Sequence, residues 1–104
     1  MPSTDTITPI CVLRRRRDFL ELRNAPQFEK NRYMYIQCDS KGPENVISYG
    51  ITASKKLGSA VTRNFVKRRL RVLIRTHLRL FGTGGHRFVF IARPALAQDV
   101  FQPI

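Results

Sequence analysis

The chain has 104 residues, 42% of them hydrophobic, with 19 Lys/Arg against 7 Asp/Glu, a formal net charge of +12 and a pI near 11.1. That length suits one domain with a single two-layer core, and the apolar content excludes a disordered chain. Eleven Lys/Arg and no Asp or Glu fall in residues 45–98, a bias that calls for a polyanion, nucleic acid ahead of an anionic membrane or an acidic protein.

Residues 1–8 are Ser/Thr-rich, show no periodicity and are expected to fray. Residues 7–13 are apolar but precede Arg14-Arg15-Arg16-Arg17, the wrong order for a signal peptide. No segment approaches the roughly 18 apolar residues that a membrane span takes. Cys11 and Cys38 lack CxxC spacing and read as reduced thiols of a cytoplasmic protein. Residues 13–24 read as a short helix with an imperfect stripe of Leu13, Phe19, Leu20 and Leu22, stopped by Pro26. In residues 32–38, Tyr33, Tyr35 and Gln37 alternate with Met34, Ile36 and Cys38, as in a strand. Gly42-Pro43 marks a turn, and residues 46–54 form a second strand, so the pair reads as an antiparallel hairpin.

A long helix follows over residues 59–81, with Ser59 as N-cap and Gly82, Gly84 and Gly85 beyond its end. Residues 87–92 are a third strand, stopped by Pro94, and a further helix could start at Ala95. At about 100° per residue, Val66, Leu70, Leu73, Ile74, His77 and Phe81 gather on one arc of the long helix, the expected core face. Arg63, Lys67, Arg71, Arg75 and Arg79 succeed one another beside it at i+4, with Asn64 and Arg68 in the same sector. Solvated helix faces usually interleave Glu with Lys, because like charges at i,i+4 repel. None does so here, which favours nucleic-acid binding over a merely solvated face. Phe65 and Val72 fall on the far side, as scattered surface hydrophobes or as stacking contacts.

A self-sufficient nuclease would need clustered carboxylates for metal ions, or a His acid–base pair. The seven acids are dispersed, His77 sits in the apolar arc, and His86 has no evident partner in the sequence. Gly82-Thr83-Gly84-Gly85 lacks the Lys-Ser/Thr of a phosphate loop, and no zinc spacing occurs. The residues therefore point to no catalytic group, no protein metal site, no small-molecule substrate and no membrane. A ribosomal or general RNA-binding protein fits the charge pattern as well as any more specific role.

The run from Ser54-Lys55-Lys56 through Arg63-Asn64-Phe65 to Lys67-Arg68-Arg69-Leu70-Arg71 closely resembles the signature of the bacterial ribonuclease P protein subunit. The flanking strands and Arg17-Asp18-Phe19 resemble that family too. The resemblance implies an α/β (α+β two-layer) sandwich of the kind seen in the second domain of a small-subunit ribosomal protein. In it a small mixed sheet carries a long basic helix that joins two parallel strands by a left-handed crossover, against the usual hand. It further implies a non-catalytic subunit that helps a catalytic RNA, with Mg2+ held mainly by RNA, to remove the 5′ leader of precursor tRNA. Arg63, Asn64, Lys67, Arg68 and Arg71, with the pair Lys55 and Lys56, match the positions that meet the catalytic RNA. Phe19, Tyr33, Tyr35 and Gln37 match a cleft between the first helix and the sheet that receives the leader.

Four departures stand out. The usual Arg-Asn-Arg is Arg63-Asn64-Phe65, a cleft aromatic one turn after Phe19 is Arg23, and another on the strand is Gln37. Such a cleft stacks less and uses more charge and hydrogen bonding. Finally, the family's C-terminal helix against the sheet has no evident counterpart before Ile104.

Overall fold

The computed structural model describes residues 9–81 and 84–101; the expected fraying of residues 1–8 and the Gly82 stop lie outside them. The chain runs β1 (Ile10–Val12), α1 (Arg16–Arg23), β2 (Gln27–Lys30), β3 (Met34–Asp39), β4 (Ile47–Thr52), α2 (Ala60–Phe81) and β5 (Arg87–Ala92). A 3-10 turn at Lys55–Leu57 precedes α2, and a π-helical turn at Leu96–Val100 follows β5. The strands make one mixed sheet in the order β1-β4-β5-β3-β2. β1, β4 and β5 are parallel, while β3 runs antiparallel to both β5 and β2.

The expected hairpin of β3 and β4 is corrected here, because β5 inserts between them. The chain does turn at Pro43, whose carbonyl accepts from the Val46 N–H at 3.2 Å. However, residues 88–92 are apolar on both faces, and such a strand belongs at the centre of a sheet covered on both sides. β3 carries Gln37 and Asp39 on one face and takes a place nearer the edge. The first helix also starts later than expected, at Arg16, leaving Leu13 in the approach segment. There the Leu13 N–H donates to the Tyr49 carbonyl at 2.7 Å and prolongs the β1–β4 pairing.

Strand alternation sends Ile47, Tyr49, Phe90 and Ala92 to one face, where they meet Val66, Leu70, Ile74 and Leu78 of α2 in the main core. Each such buried side chain contributes about 1.5–3 kcal/mol relative to exposure. The π-helical turn closes one end of this core with Leu96 and Ala97, and Phe101 just beyond it joins them. Ser48, Gly50, Arg87 and Val89 point to the opposite face, against α1, whose Leu22 is fully buried. Gly50 leaves room for this approach: a Cβ on it would lie 2.5 Å from the Phe19 ring, which would have to shift.

The predicted apolar arc of α2 is rotated in the structure. Leu78 joins Val66, Leu70 and Ile74, whereas Leu73 and His77 are exposed, and the Phe81 side chain lies outside the description. Leu73 and His77 instead border an apolar groove of about 470 Å3 whose far wall is Phe28, Met34, Ile36 and Phe88. Phe65, expected on the far side, is half-buried and packs against the core, so it is neither a loose surface aromatic nor a free stacking platform. Val72 is exposed, as expected.

Candidate nucleic-acid interfaces

Local chemistry builds the start of α2. Leu57 is buried and anchors the 3-10 turn, which leaves Lys55 and Lys56 exposed beside it. Gly58 follows at φ +131, a conformation that L side chains rarely adopt. The Ser59 hydroxyl then accepts from the Thr62 N–H at 3.2 Å, the expected cap. From there α2 runs for 22 residues, about 33 Å at 1.5 Å per residue.

Along it Asn64, Arg68, Arg71, Arg75 and Arg79 are exposed, and Arg63 and Lys67 are half-exposed. No ion pair involves any of these cations among the described residues. The Arg63 Nε is shielded from solvent and has no hydrogen-bond partner there. Lys55, Lys56, Arg63, Asn64, Lys67, Arg68 and Arg71 therefore all belong to α2 or the turn before it, on the helical layer. Arg69 differs from its neighbours: its guanidinium lies 5.9 Å from the Phe101 ring centre and ties Phe101 to the helix.

The sheet's other face carries the second set of expected residues. Tyr35 pairs with Ile91 and Gln37 with Val89, on the side of α1 and Phe19. The Tyr35 ring lies under two cations, Arg93 at 4.7 Å and Lys30 at 5.4 Å. Gln37 is engaged internally: its amide donates to the Arg23 carbonyl at 3.0 Å and the Ala25 carbonyl at 3.3 Å, pinning the end of α1 to β3. Tyr33 does not join this group. It precedes β3, and its half-buried side chain packs against the α2-side core.

An ion network under α1 joins residues that no local sequence pattern links. Arg87, with only 7% of its side chain exposed, donates to Asp39 at 2.9 and 2.7 Å, to Asp18 at 3.1 Å and to Glu21 at 3.1 Å. Its hydrogen bonds hold the Asp39 carboxyl below the usual carboxylate range, and Asp39 in turn raises the guanidinium's pKa. Two acids from one turn of α1 and one from the end of β3 thus converge, but on an arginine. Among the described residues no group of three or more His, Cys, Asp or Glu is arranged to hold a metal ion. Cys11 and Cys38 are free thiols, and burial pushes the Cys38 thiol's pKa up. No helix of the described residues is long and apolar enough to cross a membrane.

Comparison with known proteins places this geometry. The family described as Ribonuclease P matches residues 9–104. The ribonuclease P protein component of Mesoplasma florum is 32% identical over 90 residues, covering 86% of this chain and 81% of its own. That of Caulobacter vibrioides is 42% identical over 82 residues, 78% of this chain, which spans only 54% of the Caulobacter protein. Among solved structures, the RNase P protein from Thermotoga maritima superposes with a TM-score of 0.71 at 30% identity, over 84% of this chain and 77% of that one. The Staphylococcus aureus RNase P protein, at 24% identity and a TM-score of 0.69 over 84% of this chain and 78% of its own, shows the same fold.

Proposed function

This chain belongs to the ribonuclease P protein family, and from that premise we propose how its two faces divide the work between RNA partners. A protein component of ribonuclease P works with an RNA subunit. The α2 face binds that catalytic RNA through Arg63, Lys67, Arg68 and Arg71, with Lys55 and Lys56 at the start of the helix and Asn64 fixing geometry by hydrogen bonds. The face under α1 receives the unpaired 5′ leader of precursor tRNA. Phe19 and Tyr35 supply aromatic surface there, and Arg93 and Lys30 supply charge beside Tyr35. Tyr33 and Gln37 act on that face only indirectly, through packing and through the α1–β3 tie.

The observation that carries this reading is the basic helix: a 22-residue surface whose cations have no acidic partner among the described residues, set on the sheet face opposite the cleft. Electrostatics then defines the protein's contribution. The +12 charge offsets repulsion between catalytic RNA and precursor tRNA, so that less Mg2+ is needed to hold them together. Mg2+ itself sits on RNA phosphates, a reading supported by the engagement of Asp18, Glu21 and Asp39 with Arg87. The free thiols fit a reducing, cytoplasmic setting.

Cleavage of a leader-bearing precursor tRNA, measured against Mg2+ concentration with and without a family catalytic RNA, tests the proposal. The protein should lower the Mg2+ requirement of the RNA and cut nothing alone. Specific, metal-dependent 5′ cleavage by RNA-free protein would end the reading.

A further inference from the structure

A cationic surface outside the signature residues wraps one end of the molecule. Because β4 and β5 are parallel and α2 joins them, the helix returns along the sheet, and its C-terminal end lies beside the start of both strands. Arg75 and Arg79 are exposed there, about one helical turn apart. Just beyond the helix, the Gly85 N–H donates to the Val46 carbonyl at 2.9 Å, and the Gly85 carbonyl accepts from the Gly42 N–H at 3.0 Å. Gly42 in turn borders a cleft of about 570 Å3 on the other layer, lined also by Lys41, Arg14, Arg15 and Arg17, all four exposed. None of these six cations forms an ion pair among the described residues, and Lys41 has only a coulombic attraction to Asp39. Asp18 and Glu21 border the same cleft, but both are hydrogen-bonded to Arg87, together with Asp39, and are thereby withdrawn from the outer cations. Of the described acids on this end, Glu44, whose carbonyl lies against Gly84, stays outside that network.

The lining of the cleft selects the kind of RNA. Single strands are gripped by cations interleaved with aromatic rings on which bases stack. No aromatic residue lines this cleft. Cations without a stacking surface suit the phosphates of base-paired RNA, whose bases are already stacked and which proteins hold by shape and backbone contacts. Six spread charges also exceed what a small anion needs. Continuity with α2, through Arg75, Arg79 and the Gly85–Gly42 hydrogen bond, then favours the catalytic RNA over the tRNA substrate. We propose that this end of the molecule is a second docking surface for the catalytic RNA, on which a base-paired segment continues from α2 round the end of the sheet to the start of α1. The inference rests on the assignment of α2 to that RNA. It adds Arg75, Arg79, Lys41, Arg14, Arg15 and Arg17 as phosphate contacts, with Arg87 as a positioning residue that keeps Asp18 and Glu21 away from them.

The test uses two charge-removing variants: Arg75→Gln with Arg79→Gln, and Arg14→Gln, Arg15→Gln and Arg17→Gln together. Affinity of each protein for the full catalytic RNA is measured against salt. The same is done for a single-stranded oligoribonucleotide with the protein alone, and for precursor and mature tRNA with holoenzyme assembled at saturating protein. All five side chains are exposed, so thermal unfolding should be unaltered. At roughly 0.7–0.9 per phosphate, the log K–log salt slope for catalytic RNA should flatten by about 1.5 in the first variant and about 2 in the second. The slopes for the oligoribonucleotide and for both tRNAs should not move. An unchanged slope for catalytic RNA in either variant would overturn the inference. So would equal flattening for the oligoribonucleotide, the mark of general charge attraction, or a loss confined to precursor tRNA, which would give the cleft to the leader. Arg63→Ala with Lys67→Ala, measured alongside, separates this inference from the reading it rests on. Flattening there alone leaves the proposed function standing without a second surface. Flattening in the new variants alone keeps this end of the molecule as the docking surface and removes the signature residues from it.

Discussion

Arg87 and Asp39 face each other across the β3–β5 pair, one guanidinium holding one carboxylate through hydrogen bonds of 2.9 and 2.7 Å. The pair is nearly buried, with side-chain exposures of 7% and 10%, and it extends to Asp18 and Glu21 on α1. It therefore fastens the first helix to the sheet and sets the width of the cleft between them.

Removing the guanidinium should be severe, because three carboxylates would then share a site without their counter-charge. Arg87→Met should cost about 3 kcal/mol of stability at neutral pH, in the range measured for breaking a buried pair from one side. The pH dependence has a definite sign. Asp39 has a folded pKa below its unfolded value, so its contribution is present above about pH 4 and is lost as pH falls through the folded pKa. Urea unfolding of the two proteins should accordingly show a gap that narrows on going from pH 7 to below pH 3. A gap of the same size at both would mean that the network adds nothing beyond the packing of Arg87.

Close approach of α1 to β4 gives a second expectation. A methyl group on Gly50 would meet the Phe19 ring at 2.5 and 2.6 Å and the Leu13 Cβ at 3.4 Å. Gly50→Ala should cost about 1–3 kcal/mol through overpacking. Combining it with Phe19→Leu should recover part of that loss, since neighbouring substitutions couple. Denaturant midpoints of the two single variants and the double variant measure the coupling. Strictly additive losses would mean that α1 does not sit where Phe19 covers Gly50.

For the basic helix, salt dependence is the sensitive readout. Replacing Arg63 and Lys67 by Ala should flatten the log K–log salt slope for catalytic RNA by roughly 1–2 units, at about 0.7–0.9 per phosphate. Melting temperatures should be compared alongside, since both side chains are only half-exposed. An unaltered slope would move the catalytic-RNA interface off this part of α2.

How much of this was legible in the sequence follows from the range over which each signal acts. Ser59 and the apolar positions Val66, Leu70 and Ile74 act within a turn or two, and the span of α2 is as expected, although its buried face takes in Leu78 rather than Leu73 and His77. The parity of Tyr35 and Gln37 against Met34 and Ile36 also held, because strand alternation is local. The neighbour of β3 was not legible. A turn at Pro43 is compatible with a hairpin, and only the demand of β5 for cover on both faces displaces β4 from that place. β1 and β2 escaped notice because three residues and an exposed, bulged Gln27–Lys30 show no usable period. Tyr33 shares the parity of Tyr35 and Gln37, yet its side chain packs against the core, which parity alone does not report. Asp18, Glu21 and Asp39 looked dispersed because 48 or more residues separate each from Arg87, and no local pattern reports such a meeting.

The division of the two faces is tested most directly by Tyr35→Ala, read as the difference in holoenzyme affinity between leader-bearing precursor tRNA and mature tRNA. Tyr35 lies on the α1 face, with Arg93 4.7 Å and Lys30 5.4 Å from its ring centre. Stacking of a base on an aromatic ring contributes about 1–3 kcal/mol. The variant should therefore bind precursor tRNA roughly ten-fold or more weakly, while mature tRNA and the catalytic RNA bind as before. Equal losses for both tRNAs, or a loss confined to the catalytic RNA, would contradict the assignment of the α1 face to the leader.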